Sequence, residues 1–180
     1  GSGPFEKKSI IFNGTGESGN TWTQSGHTVG CSNWTNYGTD LKGWKAFDGT
    51  RDLSDPTFDG CWGYQNTSIV SSINYKFPSP KIITRLKHWP ENLYSNRVKD
   101  FEFFGSNNGL FSNNGGVLNT DYWLLHSQTN CTNSNAWQTY DFSNSTGYTH
   151  YQFKINATYD SSGPNYWVVV GELELYGVNY

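Results

Sequence analysis

Apolar residues along this chain recur in short runs of period two, interrupted every few positions by Gly, Pro, Asn and Ser. Ser72-Ile73-Asn74-Tyr75-Lys76-Phe77 alternates and stops at Pro78 and Pro80. Ile82 to Trp89 alternates after its first residue and stops at Pro90. Phe101 to Ser106 runs into Asn107-Asn108-Gly109, a turn signal because Asn and Gly accept the left-handed backbone region. Further runs follow at Tyr122 to Leu125, Trp137 to Phe142, Tyr151 to Ile155, and Val168-Val169-Val170 leading into Leu173-Glu174-Leu175. Ile10-Ile11 predicts an early strand inside a Gly/Ser/Thr-rich lead-in. One or two helical turns are predicted between Leu41 and Phe47, and the density of Gly, Asn and β-branched residues disfavours helix elsewhere. The pattern predicts an all-β antiparallel sandwich over residues 26–180, preceded by a lead-in over residues 1–25.

Composition agrees with one strand-rich domain carrying polar loops. The chain has 180 residues, of which 15% are charged and 17% aromatic, with 20 Gly. A net charge of -3 gives no electrostatic reason for nucleic acid or an anionic membrane as partner. No apolar run approaches the roughly 20 residues that span a bilayer. Cys31, Cys61 and Cys131 allow at most a single internal disulfide, so free thiols are expected. Sequons stand at Asn13, Asn33, Asn66, Asn130, Asn144 and Asn156. Gly1-Ser2-Gly3 has the composition of a cloning scar and Met is absent, so a piece of a larger multidomain protein is expected.

Motifs in a fixed order resemble the discoidin, or coagulation factor 5/8 type C, domain and its relative, carbohydrate-binding module family 32. Ala46-Phe47-Asp48-Gly49 followed by Cys61-Trp62 is similar to that family's A-x-D-G…x-W segment. Ile73 to Phe77 and Ile83 to Leu86 resemble its first long core strands. Arg97-Val98-Lys99-Asp100-Phe101, then Ser106-Asn107-Asn108-Gly109, resembles its hairpin, and His150 to Ile155 with Gly171 to Gly177 its last two strands. The likeness covers about residues 26 to 177 and implies an eight-stranded antiparallel jelly-roll β-sandwich with ligand loops at one end.

The resemblance also implies a structural Ca2+. Its ligands would be the side chains of Asp48 and Glu172 and the carbonyls of Lys45, Thr50 and Gly171. Gly60 stands where the family supplies a Thr or Ser, and Ser54, Asp55, Thr57 and Asp59 are the possible substitutes. On the residues alone, Asp48 capping its own turn and Glu172 as a solvated strand position is the simpler account.

Glycan recognition needs flat aromatic faces for the C–H side of a sugar, with amides and charged groups for its hydroxyls. Three segments carry that chemistry: Tyr64 and Gln65; His88, Trp89, Glu91, Tyr94, Asn96 and Arg97; and Tyr166 and Trp167. Gly63 and Glu91 occupy positions where galactose-binding members carry His and Arg, which separates this chain from the galactose pattern. Trp62, Trp123 and Trp137 lie within strand patterns and are expected in the core, and His27, His126 and His150 as ordinary strand or loop residues.

The expectation is a non-catalytic carbohydrate-binding module that targets a larger protein to glycans, in an extracellular, cell-surface or virion-surface setting. A protein-adhesion module is the alternative on the same fold. Lipid insertion is disfavoured because the loops carry Glu91, Asn92, Asn165 and Asp59 rather than apolar spikes beside cations. The missing nucleophile elbow, phosphate loop and zinc motif argue against an enzyme.

Overall fold

The computed structural model describes residues 4–50, 60–68, 70–90, 97–107, 122–160 and 163–178. Among them run strands β1 (Phe5–Lys7), β2 (Glu17–Ser18), β3 (Thr21–Gln24), β4 (His27–Cys31), β5 (Trp62–Asn66) and β6 (Ser71–Lys81). These are followed by β7 (Arg85–Pro90), β8 (Val98–Ser106), β9 (Trp123–Gln128), β10 (Gln138–Asp141), β11 (Tyr148–Thr158) and β12 (Tyr166–Val178). All pairings are antiparallel. A five-stranded sheet has the order β1-β12-β7-β10, with β5 also on β12, and a seven-stranded sheet the order β2-β3-β4-β6-β11-β8-β9. The all-β, two-sheet antiparallel architecture is as expected, with more strands than the eight implied. No helix among the described residues is long and apolar enough to cross a membrane.

Alternation explains the layers. Leu86 and His88 of β7, Val168, Val170, Leu173 and Leu175 of β12, and Tyr151, Phe153 and Ile155 of β11 are buried between the sheets. Aromatic rings fill much of that interior: Phe103 stacks on Tyr151 at 5.6 Å between centroids, and Phe101 tilts against Phe153 at 4.6 Å. Each such side chain contributes roughly 1.5–3 kcal/mol by leaving water.

The predicted helical turns appear as a 3-10 helix, Gly43–Phe47. Ile10-Ile11 forms no strand; the Ile10 N–H donates to the Tyr75 hydroxyl instead. The first 25 residues do more than lead in, since β1 pairs with the end of β12 and β2 and β3 extend the seven-stranded sheet. β6 continues past Pro78 and Pro80 because the prolines lie where its ladder with β11 shifts register and beyond its pairs with β4. Trp123 is not core: it stands at the start of β9, the outermost strand of its sheet, 67% exposed.

The antiparallel order brings the strand ends Asn66, Ser71, Pro90, Val98, Gln128, Gln138, Thr158 and Tyr166 to one pole. The turns 81–85 and 141–148 lie at the other.

Candidate functional site

Glu172 owes its position to one extra residue in β12. Val170 pairs with Pro90 and Glu172 with Trp89, which leaves Gly171 as a β-bulge. Unbroken alternation from Val168 and Val170 would turn Glu172 into the core. The bulge sends it to the outer face of the five-stranded sheet, against the Asp48-Gly49 turn that ends the 3-10 helix, and Leu173 and Leu175 resume core packing. Gly171 is tightly enclosed: a Cβ there would lie 2.9 Å from the Trp89 carbonyl oxygen and 3.2 Å from that of Pro90.

Asp48 Oδ1 accepts hydrogen bonds from the Thr50 N–H and the Thr50 hydroxyl, each at 3.0 Å. Glu172 Oε2 accepts the Gly49 N–H at 2.7 Å. Its other oxygen, Oε1, is buried with no donor among the described residues. Burial raises both carboxyl pKa values, and the neighbouring Asp48 carboxylate pushes Glu172 further up. Among the described residues no group of three or more His, Cys, Asp or Glu gathers here or elsewhere. Among the described residues, a cation here would find these two carboxylates and the backbone oxygens beside them. Oxygen-only donors suit a hard divalent ion. Gly60 adjoins the turn with a positive φ of 99°, and a Cβ there would lie 2.7 Å from Thr50 Oγ1. Ser54, Asp55, Thr57 and Asp59 lie outside the described residues.

At the pole formed by β5 and the start of β12, Gln65 pairs with Trp167 and Tyr64 with Val168. Val168 faces the core, so Tyr64 faces inward and packs there, while Gln65 and Trp167 face outward. Trp167 is half-buried over Leu41, Cys61 and Val169, and the exposed Tyr37 meets it edge-to-face at 5.4 Å. The Gln65 N–H donates to Thr35 Oγ1 at 3.0 Å, and the Trp167 N–H to Asp160 Oδ2 at 2.7 Å. Two rings and one amide thus share a surface whose backbone is tied at both strands.

Solved structures share this architecture. The family 32 module of Clostridium perfringens NanJ, solved with galactose, has a TM-score of 0.61 at 15% identity, covering 85% of this chain and 95% of that one. CpGH89CBM32-5, also from Clostridium perfringens and solved with GalNAc-β-1,3-galactose, has a TM-score of 0.60 at 14% identity over 87% and 99%. Chitosan-binding module 1 of a Paenibacillus sp. IK-5 chitosanase/glucanase has a TM-score of 0.58 at 18% identity over 84% and 96%. The fold is that of the family 32 carbohydrate-binding modules. No protein-family model and no curated protein sequence matches the chain.

Within this family 32 fold, the position after Trp62 is closed. A Cβ on Gly63 would lie 2.6 Å from Leu41 Cδ1, so Leu41 occupies the space that a side chain at this position would enter. His88 lies in the core rather than on the ligand loop: it is fully buried, 5.5 Å from Phe153, with neither ring nitrogen partnered among the described residues. Burial drives its pKa down to about 3. Trp89 lies on the outer face of β7, edge-to-face with Trp137 at 5.6 Å and apart from the Trp167 surface, and Trp137 is half-buried there rather than in the core. Arg97 Nη1 donates to Asn133 Oδ1 at 3.1 Å. Glu91, Tyr94 and Asn96 lie outside the described residues. Tyr166 is half-buried beside Asn66. Tyr37 was missed from sequence. Its signal was an aromatic in the polar turn Asn36-Tyr37-Gly38, stranded between no apolar neighbours.

Proposed function

We propose that the chain is a non-catalytic glycan-binding module whose sugar rests on Trp167 and Tyr37 at the β5–β12 pole. The observation that carries this reading is the edge-to-face pair of those rings beside Gln65. Two aromatic planes offer a sugar's C–H face a corner, and the carboxamide of Gln65 both donates and accepts toward hydroxyls. The fold likeness supports it, because the similar structures are themselves modules described with galactose, GalNAc-β-1,3-galactose or chitosan. Leu41 over Gly63 favours a sugar other than one bound through the galactose-type His. Such a module would hold a larger parent protein against glycans at a cell, virion or polysaccharide surface.

Calcium belongs to the same proposal as a structural ion. The Asp48 and Glu172 side chains and the Lys45, Thr50 and Gly171 carbonyls would hold it. Bound there, it supplies positive charge that relieves the buried carboxylate pair and ties the 45–50 turn to β12. The idle Glu172 Oε1 supports this assignment.

A glycan array in calcium-containing buffer, followed by titration of the best hit against Trp167→Ala and Tyr37→Ala, tests the reading. Loss of about tenfold or more in affinity in either variant is expected for an anchoring aromatic. Binding untouched by both variants moves the sugar to another surface. An array with no hits turns the function toward a protein partner.

A further inference from the structure

At the pole opposite Trp167, where β9 begins and β10 ends, described residues line an open cavity of about 670 Å³. Sites for small ligands occupy roughly 300–1,000 Å³. One wall is aromatic. Trp123 stands 67% exposed, Phe142 packs behind against Phe103 at 5.5 Å, and Tyr148 meets Tyr151 at 5.9 Å. Tyr148 lies directly over Gly105, where a Cβ would come within 2.4 Å of its ring, so the backbone of β8 fixes its plane.

The other wall is a run of hydroxyls, Ser143, Ser145 and Thr146. Asn144 between them shapes the turn: its amide donates to the Ile83 carbonyl at 3.1 Å and its Oδ1 accepts the Thr146 N–H at 3.0 Å. Its sequon nitrogen is thereby engaged in the fold. Among the described residues, no carboxylate, ammonium, guanidinium or imidazole lines the cavity.

We propose that this cavity is a second saccharide site, for a neutral sugar, separate from the Trp167 surface. Aromatic planes facing hydroxyls match a pyranose, which has an apolar C–H face and a hydroxyl rim. An anionic sugar or phosphate would meet no positive charge among those described residues. A tryptophan left mostly in water at the cavity mouth costs little to order and offers a large contact area once covered.

Neutral oligosaccharides of glucose, galactose, mannose and N-acetylglucosamine serve as probes, with binding read from the indole N–H signals of the intact chain by NMR. Wild type, Trp123→Ala, Ser145→Arg, Trp167→Ala and the Trp123→Ala/Trp167→Ala double variant are compared. At least one neutral sugar should shift the Trp123 indole in wild type and in Trp167→Ala. Ser145→Arg should weaken that binding at least tenfold and Trp123→Ala should remove the responding signal itself, while the Trp167 indole still responds to its own ligand. Exposure of Trp123 and Ser145 leaves both variants folded, and an unchanged melting temperature checks this. Loss of every response in Trp167→Ala would overturn the second site. So would a Trp123 indole that no neutral sugar moves at 10-fold excess over millimolar affinity, or a change in Trp123→Ala confined to self-association through the β9 edge. Failure of the Trp167 site alone leaves the Trp123 response intact, so the two proposals fail separately.

Discussion

Glu172 Oε2 and the Gly49 N–H, 123 residues apart in sequence, meet at 2.7 Å. That bond ties the last strand to the 3-10 turn, yet it leaves Glu172 beside Asp48 and both carboxyls short of compensation. Calcium should therefore raise the melting temperature, through a stabilisation that reaches about 2.7 kcal/mol at one hundred times the dissociation constant. Glu172→Gln keeps an oxygen for Gly49 and removes a carboxyl that burial and Asp48 drive up to about 10. Its melting temperature in chelator should equal or exceed wild type, and its response to calcium should vanish. Thermal melts across a calcium titration read both effects; an undiminished response would mean that a bound ion lies elsewhere.

His88 sets a pH dependence. Its ring is neutral in the folded chain down to a pKa of about 3, against an ordinary 6.5 once unfolded. Below 6.5 the unfolded chain binds a proton that the folded chain refuses, so stability is full above that pH and falls as pH drops toward 3. The slope reaches about 1.4 kcal/mol per pH unit for this one group. His150, lowered to about 4 by burial and by the charge of Lys76, acts in the same direction. Urea denaturation at pH 7.5 and pH 5 should show His88→Leu losing measurably less stability than wild type over that interval.

Gly63 and Leu41 should prove coupled. Gly63→Ala overpacks Leu41 and should cost about 1–3 kcal/mol. Leu41→Ala empties the same space and should cost about 2–5 kcal/mol. The double variant should cost clearly less than the sum, because each change relieves the other. Simple additivity in denaturation experiments would show that Leu41 does not fill this position.

Cys31, Cys61 and Cys131 are buried. Burial pushes the Cys31 thiol up to about 12 and raises that of Cys131 as well. A thiol reagent at pH 8 should find almost no reactive sulfur in the native chain within minutes, and 3 per chain in denaturant. Rapid native labelling would place at least one cysteine at the surface.

Strands from β6 onward were legible because each alternates over several residues and buries one face. β2, β3 and β4 were not: they carry Thr, Gln and Ser and bury Trp22, Val29 and Cys31 in very short segments. Trp123 misled because alternation reports which face a residue takes, not whether its strand lies at the sheet's rim. The pairing of Asp48 with Glu172 came from the family likeness. Its cause, a bulge, has no periodic signature. Tyr37 reaches Trp167 only through the fold of the 35–41 segment, whose backbone bonds to Gly63 from both ends.

Gly171 is, in terms of pairing, a spare residue. Remove it and Val170 would still face Pro90 while Glu172 faced Trp89, now in an unbroken ladder. The sandwich thus maintains a crowded glycine that its hydrogen-bond ladder has no need of. A chain with Gly171 deleted would keep its architecture and lose one carbonyl freed from the sheet. That makes Gly171 the place to separate what the fold requires from what its occupant requires.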